Sequence, residues 1–86
     1  MNVRFFRRFV KQLAKLPRSV QASTYARIEL MMVNPDDPIL RRRRLKGALR
    51  HLWSIDITGD VRALYEIVDG QVIVYQFVGS RSQLYG

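Results

Sequence analysis

The sequence has no cysteine and a single histidine, and these shortages exclude several kinds of site. Without cysteine the chain forms neither a disulfide framework nor a thiolate metal centre. One histidine argues equally against a histidine-based metal cluster. We therefore expect no metal and no small-molecule cofactor.

Long apolar runs are missing as well. No stretch approaches the ~20 apolar residues of a membrane span, and the N-terminus lacks a signal-peptide core. We therefore expect a cytoplasmic protein without a membrane partner. The 86 residues, 48% of them apolar, suffice for one small core, so we expect a single domain over residues 1–86.

Acidic residues are scarce. Seven Asp and Glu face 15 Lys and Arg, most of them arginine, which gives a net charge of +8. Guanidinium groups bind phosphate bidentately and stack on bases. The excess favours a polyanionic partner over the alternative of a merely soluble basic domain, because +8 exceeds what solubility requires.

Helical spacing marks the N-terminal half. Apolar residues recur at intervals of three and four between cations, at Phe6, Phe9, Val10, Leu13 and Leu16. This pattern predicts an amphipathic helix that ends at Pro17. A second helix is predicted from there to Asn34, because Pro35 disfavours a helical residue before it. Its expected buried stripe is Ala22, Tyr25, Ile28 and Met32.

The C-terminal half has the period of two that is typical of strands. Three apolar segments beginning near Trp53, Val61 and Gln71 are separated by the turns Thr58-Gly59-Asp60 and Asp69-Gly70. Residues 71–78, apolar on both faces, are expected to form a central strand, and residues 2–5 a short edge strand. The predicted fold is α+β: an antiparallel helical hairpin packed on a twisted, mainly antiparallel sheet of about 3–5 strands.

Four consecutive arginines, Arg41 to Arg44, precede the first of these strands. Successive residues of a strand point to opposite faces, so at most half of the run addresses one ligand. Two interpretations stay open and are compatible: binding of RNA phosphates, and protection of a sheet edge by charge. The predicted RNA-binding residues are Arg41, Arg42, Arg43, Arg44, Lys46 and Arg50.

Arg62 is the one cation inside an otherwise apolar strand. Burying a guanidinium is costly without a partner. One interpretation is a structural ion pair with Asp56 or Glu66. The other is a catalytic cation that points into an open sheet face, toward a phosphate.

Three further residues are candidates for catalysis: His51, Arg81 and Tyr85. Histidine is the usual acid–base residue, although His51 equally suits a surface position. Tyr85 either packs against the sheet edge or stacks on a base and moves a proton. The sequence has no phosphate-binding glycine loop and no acidic pair for two-metal hydrolysis. An enzyme of this composition would cleave RNA through the substrate's own 2′-hydroxyl, with arginines stabilising the charge that develops.

Six short segments, taken in order, resemble the RelE/ParE superfamily of bacterial type II toxins. They are Phe9-x3-Leu13-x2-Leu16-Pro17, Asn34-Pro35, Leu45-Lys46-Gly47, Leu52-Trp53-x-Ile55, Gly59-Asp60-x-Arg62-x-Leu64-Tyr65 and Val78-Gly79-x-Arg81-x2-Leu84-Tyr85. The resemblance implies a helical hairpin on a twisted sheet, and an acidic antitoxin as partner. Several segments look like the branch of ribosome-dependent mRNA endonucleases, which implies mRNA and the ribosome as further partners. The alternatives are the ParE branch, which acts on DNA gyrase, and a degenerate toxin that only binds its antitoxin.

The resemblance also implies roles for individual residues. Arg62 corresponds to the strand arginine that stabilises the transition state, Arg81 to a basic residue that assists the leaving group, and Tyr85 to the aromatic at the cleaved nucleotide. Many relatives of the YafQ and YoeB types carry histidine at Arg81, whereas arginine does not readily give up a proton. RelE carries lysines where this chain has Ser54 and Asp56. His51 or Tyr85 would have to replace the missing base.

Overall fold

The computed structural model describes residues 2–85. The strands are β1 (Asn2–Phe5), β2 (Arg43–Arg44), β3 (Trp53–Asp56), β4 (Val61–Val68) and β5 (Val72–Ser80), and the helices are α1 (Arg7–Ala14), α2 (Arg18–Val33) and α3 (Arg81–Tyr85). Short 3-10 turns at Pro38–Leu40 and Gly47–Leu49 flank β2. No helix within residues 2–85 has the length and apolar character needed to cross a membrane.

The strands form one sheet in the order β1-β5-β4-β3-β2. All neighbours are antiparallel except β1, which runs parallel to β5 and confirms the edge strand predicted at residues 2–5. At the β4–β5 turn Asp69 and Gly70 both have positive φ, as a type I′ hairpin turn requires. The α+β fold, with a helical hairpin on a mainly antiparallel sheet, is confirmed.

Helices α1 and α2 cover one face of the sheet, and the main core lies between them and the sheet. Its buried members are Phe9, Leu13, Ile28, Met31, Leu40, Ile55, Ile57, Ala63, Tyr65, Ile73, Tyr75 and Val78. Residues of β3, β4 and β5 that share this face alternate along each strand with residues that face away from the helices.

The predicted stripe of α2 is wrong in all but Ile28. The buried residues of the helix are Thr24, Ile28 and Met31, while Ala22, Tyr25 and Met32 are exposed. A buried threonine is tolerated here because its hydroxyl donates to the Val20 carbonyl oxygen, at 2.8 Å, within the same helix. Because threonine is polar, a search for apolar residues at helical spacing does not identify position 24 as buried.

The sheet face opposite the helices is also largely buried, which an alternating pattern does not predict. Ser54, Asp56, Arg62 and Leu64 are all buried on this face, although three of them are polar or charged. The cover comes from α3 and from arginine side chains that reach over the sheet. We call this surface the cationic face.

Tyr75 is buried in the core, and its hydroxyl has no hydrogen-bond partner among the described residues. Burial raises the pKa of this phenol, and the neighbouring Tyr65 raises it further. The neutral hydroxyl therefore has lost its water without gaining a partner, which is unfavourable for folding.

We predict that Tyr75→Phe raises the free energy of unfolding by about 1 kcal/mol, because it removes an unpaired buried hydroxyl and keeps the ring. Urea denaturation followed by circular dichroism measures the change. Tyr65→Phe is the matched control, since the Tyr65 hydroxyl contacts the Met31 sulfur at 3.8 Å and its loss should not stabilise. Equal destabilisation by both substitutions would contradict the prediction.

Candidate functional site

Strand register brings the candidate residues of three strands onto the cationic face. Arg43 of β2 pairs with Ser54 of β3, Asp56 pairs with Arg62 of β4, and Arg62 pairs with Gly79 of β5. Directly paired residues point to the same side of a sheet, so Arg43 and Ser54 lie in one row of this face and Asp56 and Arg62 lie in the adjacent row.

Asp56 is the centre of a cluster of arginines on this face. Its Oδ1 lies 2.8 Å from Nε of Arg62 and 3.2 Å from Nη1 of Arg43, and its Oδ2 lies 4.0 Å from Nε of Arg41. Its backbone carbonyl accepts a further hydrogen bond of 2.9 Å from Arg27 of α2. A single aspartate therefore ties the edge strand, the central strands and the helical layer together.

Arg62 is buried and makes the structural ion pair that the sequence allowed with Asp56. Its Nη1 donates to the carbonyl oxygens of Thr58, Gly59 and Val61 at 3.1–3.3 Å. The Nε–H group approaches Asp56 without pointing at either oxygen, so the contact is ionic rather than a directed hydrogen bond. Glu66, the other candidate partner, accepts instead from Gln76.

The arginine run divides between the two faces, as strand geometry predicts. Arg41 and Arg43 approach Asp56, whereas the guanidinium groups of Arg42 and Arg44 lie 5.0 and 5.8 Å from the centre of the Trp53 ring on the helix side. Arg42 is also fixed by hydrogen bonds to the Pro35 carbonyl and to Asp36. Only half of the run therefore belongs to the cationic face.

Arg42 also lies close to the phenol of Tyr65. Burial raises the pKa of Tyr65, and the Arg42 guanidinium offsets only part of that effect. Tyr65 therefore belongs to the core in its neutral form, and Arg42 serves to anchor the edge strand over Trp53 and Tyr65.

Helix α3 closes the cationic face at one end. Ser80 and Gln83 form a capping box, in which the Gln83 N–H donates to Oγ of Ser80 and the Ser80 N–H donates to Oε1 of Gln83. Gly79 gives the helix room, because a Cβ there would lie 2.8 Å from Gln83 Oε1. The Ser80-x2-Gln83 spacing is the sequence signal for this helix, which was not among the predicted elements.

The capped helix places Tyr85 over Ser54. The Tyr85 hydroxyl donates to Ser54 Oγ at 3.4 Å, while 40% of the residue remains exposed. Arg81, at the start of the helix, is exposed, and its backbone N–H donates to the Asp60 carbonyl at 3.1 Å. Asp60, Arg81, Ser82 and Tyr85 line an open depression of about 380 Å³.

Three of the four predicted catalytic residues thus gather at one end of the sheet, and His51 does not. His51 is exposed in the turn before β3, outside the strands that carry Asp56 and Arg62. Lys46 and Arg50 lie in the same outlying segment, where Arg50 donates to the Gly47 carbonyl and accepts from Arg44.

Arg8 is a cation of this face that the sequence analysis assigned only to the outer surface of a helix. Its guanidinium lies 3.7 Å from the ring centre of Phe77, which pairs with Leu64 on the cationic face. Its Nε–H donates to the Gln76 carbonyl. No spacing along the chain indicates this contact, because it joins residues 68 positions apart.

The arrangement suits an anionic ligand. Arginine donors lie along an exposed surface at one end of the sheet, and a tyrosine hydroxyl stands beside them. Residues 2–85 contain no group of three or more His, Cys, Asp or Glu side chains arranged to hold a metal ion. The polar side chains that line the depression are those of Asp60, Arg81, Ser82 and Tyr85.

Several solved structures share this fold. YafQ from Escherichia coli superposes with a TM-score of 0.84 at 13% identity, over 99% of this chain and 98% of its own. A YoeB/ParE toxin from Agrobacterium tumefaciens gives a TM-score of 0.79 at 16% identity, over 94% and 99% of the two chains.

A closer sequence similarity is to the toxin–antitoxin complex RelBE2 from Mycobacterium tuberculosis. The identity is 27% with a TM-score of 0.70, over 93% of this chain and 96% of that one. No curated protein sequence matches the chain significantly.

The family assignment comes from the sequence itself. The ParE toxins of type II toxin–antitoxin systems match it over residues 3–85, which includes the helical hairpin, every strand of the cationic face and α3. The chain therefore belongs to the ParE toxin family and is the toxin of a type II toxin–antitoxin system.

Proposed function

We propose that this toxin binds single-stranded RNA on the cationic face and cleaves mRNA during translation without a metal ion. The observation that carries the proposal is that Arg43 and Tyr85 both lie at Ser54, while Arg81 is exposed at the start of the helix that carries Tyr85. Arginines supply phosphate contacts, and an exposed tyrosine supplies both a stacking surface and a proton.

The chemistry proposed for this site uses the substrate as its own nucleophile. The 2′-hydroxyl attacks the adjacent phosphorus, the bond to the 5′ oxygen breaks, and a cyclic phosphate forms. Arg81 and Arg43 stabilise the negative charge on the phosphoryl oxygens. Tyr85 gives its hydroxyl proton to the leaving 5′ oxygen, and solvent water removes the proton of the 2′-hydroxyl. Asp56 is not the base in this scheme, because its oxygens are engaged by arginines.

Inhibition of DNA gyrase is the second candidate function. Two observations favour it: the matching family is that of the ParE toxins, and the donors of Arg62 are directed to internal carbonyls. A toxin that inhibits gyrase by binding to it needs the cationic surface but does not need a proton donor. The effect of losing the Tyr85 hydroxyl therefore separates the two functions.

A cognate antitoxin is part of the proposal. A chain of charge +8 with an open cationic face suits an acidic, flexible partner that folds on contact. We propose that such a partner covers Arg81 and Tyr85 directly.

Expression of the chain without its antitoxin should arrest growth through cleavage of messages that are being translated. Primer extension on a message from arrested cells should then reveal new 5′ ends within codons. Intact messages together with an induced DNA-damage response would reject the nuclease and favour the gyrase candidate.

Tyr85→Phe should lower the cleavage rate by about a hundredfold, the lower range for loss of a proton-transferring group, with little effect on RNA affinity. Single-turnover cleavage and binding of a non-cleavable RNA are the two measurements. Tyr25→Phe, on the exposed side of α2, is the matched control and should leave both unchanged. Equal losses of rate and affinity would assign Tyr85 to stacking alone.

Arg62→Ala should destabilise the fold by about 3–5 kcal/mol, because it leaves the buried Asp56 carboxylate without its nearest counter-ion. This is the result that the ion-pair interpretation of Arg62 predicts. Denaturant unfolding measures the loss, and Arg81→Ala, at an exposed position, should cost within about 0.5 kcal/mol. Arg62→Lys keeps the charge beside Asp56; if it folds but is inactive, Arg62 has a catalytic role in addition.

A further inference from the structure

The three arginines around Asp56 are held unequally. The Arg62 side chain is 7% exposed and lies 2.8 Å from the carboxylate, whereas Arg43 is 43% exposed at 3.2 Å and Arg41 is 77% exposed at 4.0 Å. Exposed ion pairs are weak and are screened by salt, while a buried pair is broken only with difficulty. Arg62 is therefore a fixed partner of Asp56, and Arg41 and Arg43 are exchangeable ones.

Arg41 and Arg43 also have N–H groups that form no hydrogen bond within residues 2–85. Nη1 of Arg43 is shared between Asp56 and the Arg41 carbonyl, and the side chain makes no other hydrogen bond within residues 2–85. Arg41 has only its 4.0 Å approach to Oδ2. One carboxylate leaves two of the three positive charges unbalanced, so the site retains affinity for a second anion.

The backbone places both side chains at the solvent side of this site. Arg43 is fixed by its strand pairing with Ser54. Arg41 ends a 3-10 turn in the left-handed conformation, with φ of 44°, which an arginine adopts only under constraint from its surroundings. The bases of the two side chains are thus set by the fold, and only their guanidinium ends are free to exchange partners.

We propose that Asp56 is a positioning residue that acts as an internal stand-in for phosphate. It stays paired with Arg62, and it holds Arg41 and Arg43 until a backbone phosphate of single-stranded RNA replaces it as their ion-pair partner. Carboxylate and phosphate present similar oxygen acceptors to a guanidinium fork, so the exchange preserves the arginine geometry. The inference rests on the RNA-binding part of the proposed function and is independent of cleavage.

The test uses a fluorescent 2′-O-methyl oligouridylate, which binds as RNA does but has no free 2′-hydroxyl to attack. Asp56→Asn should bind it about fivefold more tightly, because a competing negative charge about 4 Å from the arginines is removed. Asp60→Asn is the matched control: it removes the same charge at the same end of the sheet, from an exposed residue. Its gain should be smaller.

A double-mutant cycle distinguishes positioning from simple repulsion. If Asp56 acts through the exchangeable arginines, the gain from Asp56→Asn should vanish in a background that carries Arg41→Gly and Arg43→Gln. Glycine suits the left-handed backbone at position 41, so this background should stay folded. A gain that persists undiminished in it would overturn the inference.

Salt dependence gives a second readout that does not require the Asp56 variant to fold. Arg41→Gly and Arg43→Gln should each reduce the slope of log affinity against log salt by roughly 0.7, one phosphate contact on a single strand. Arg18→Gln, on the exposed start of α2, should leave the slope unchanged. Unchanged slopes for Arg41→Gly and Arg43→Gln would overturn the inference. Tight oligouridylate binding by a protein that does not cleave natural RNA would refute the nuclease proposal alone.

Discussion

The carboxylate of Asp56 is the interaction on which the arrangement of the cationic face depends. A buried arginine within the sheet requires a counter-ion, and the strand register places Asp56 directly opposite Arg62. The same carboxylate orients the edge strand through Arg43, and its backbone carbonyl joins the sheet to α2 through Arg27.

The two faces of the sheet perform different tasks because of one alternating pattern. On β3 and β4, Ile55, Ala63 and Tyr65 turn toward the helices and build the core, while Asp56 and Arg62 turn away from them. The helices thus stabilise the sheet from one side, which leaves the other side available for ligand chemistry. Only a short capped helix closes that second side, and it carries the tyrosine to its position over Ser54.

The sequence predicted most of the fold, and the site residues that it indicates stay predictions. Strands, hairpins and helix ends were predictable because the spacing of apolar residues and the identity of turn residues are local features of the sequence, as at Asp69 and Gly70. The buried stripe of α2 was misjudged, since a threonine that bonds to its own helix resembles a surface residue. The contact of Arg8 with Phe77 was not predictable, because it depends on how α1 packs at the sheet edge.

Arg62 and the outer arginines present their charge in different ways. The Arg62 guanidinium is buried beside Asp56, and its Nη1 donates to carbonyl oxygens of the Thr58–Val61 turn, so its position is fixed by the fold. Exposed arginines have the opposite property: they contact phosphate directly but lose side-chain entropy when they do. A buried, fixed charge surrounded by exchangeable ones combines a constant electrostatic field with direct contacts that form only when the ligand is present. In this protein the buried Arg62 is the fixed charge, and the more exposed Arg41 and Arg43 are the exchangeable ones; all three lie around the carboxylate of Asp56.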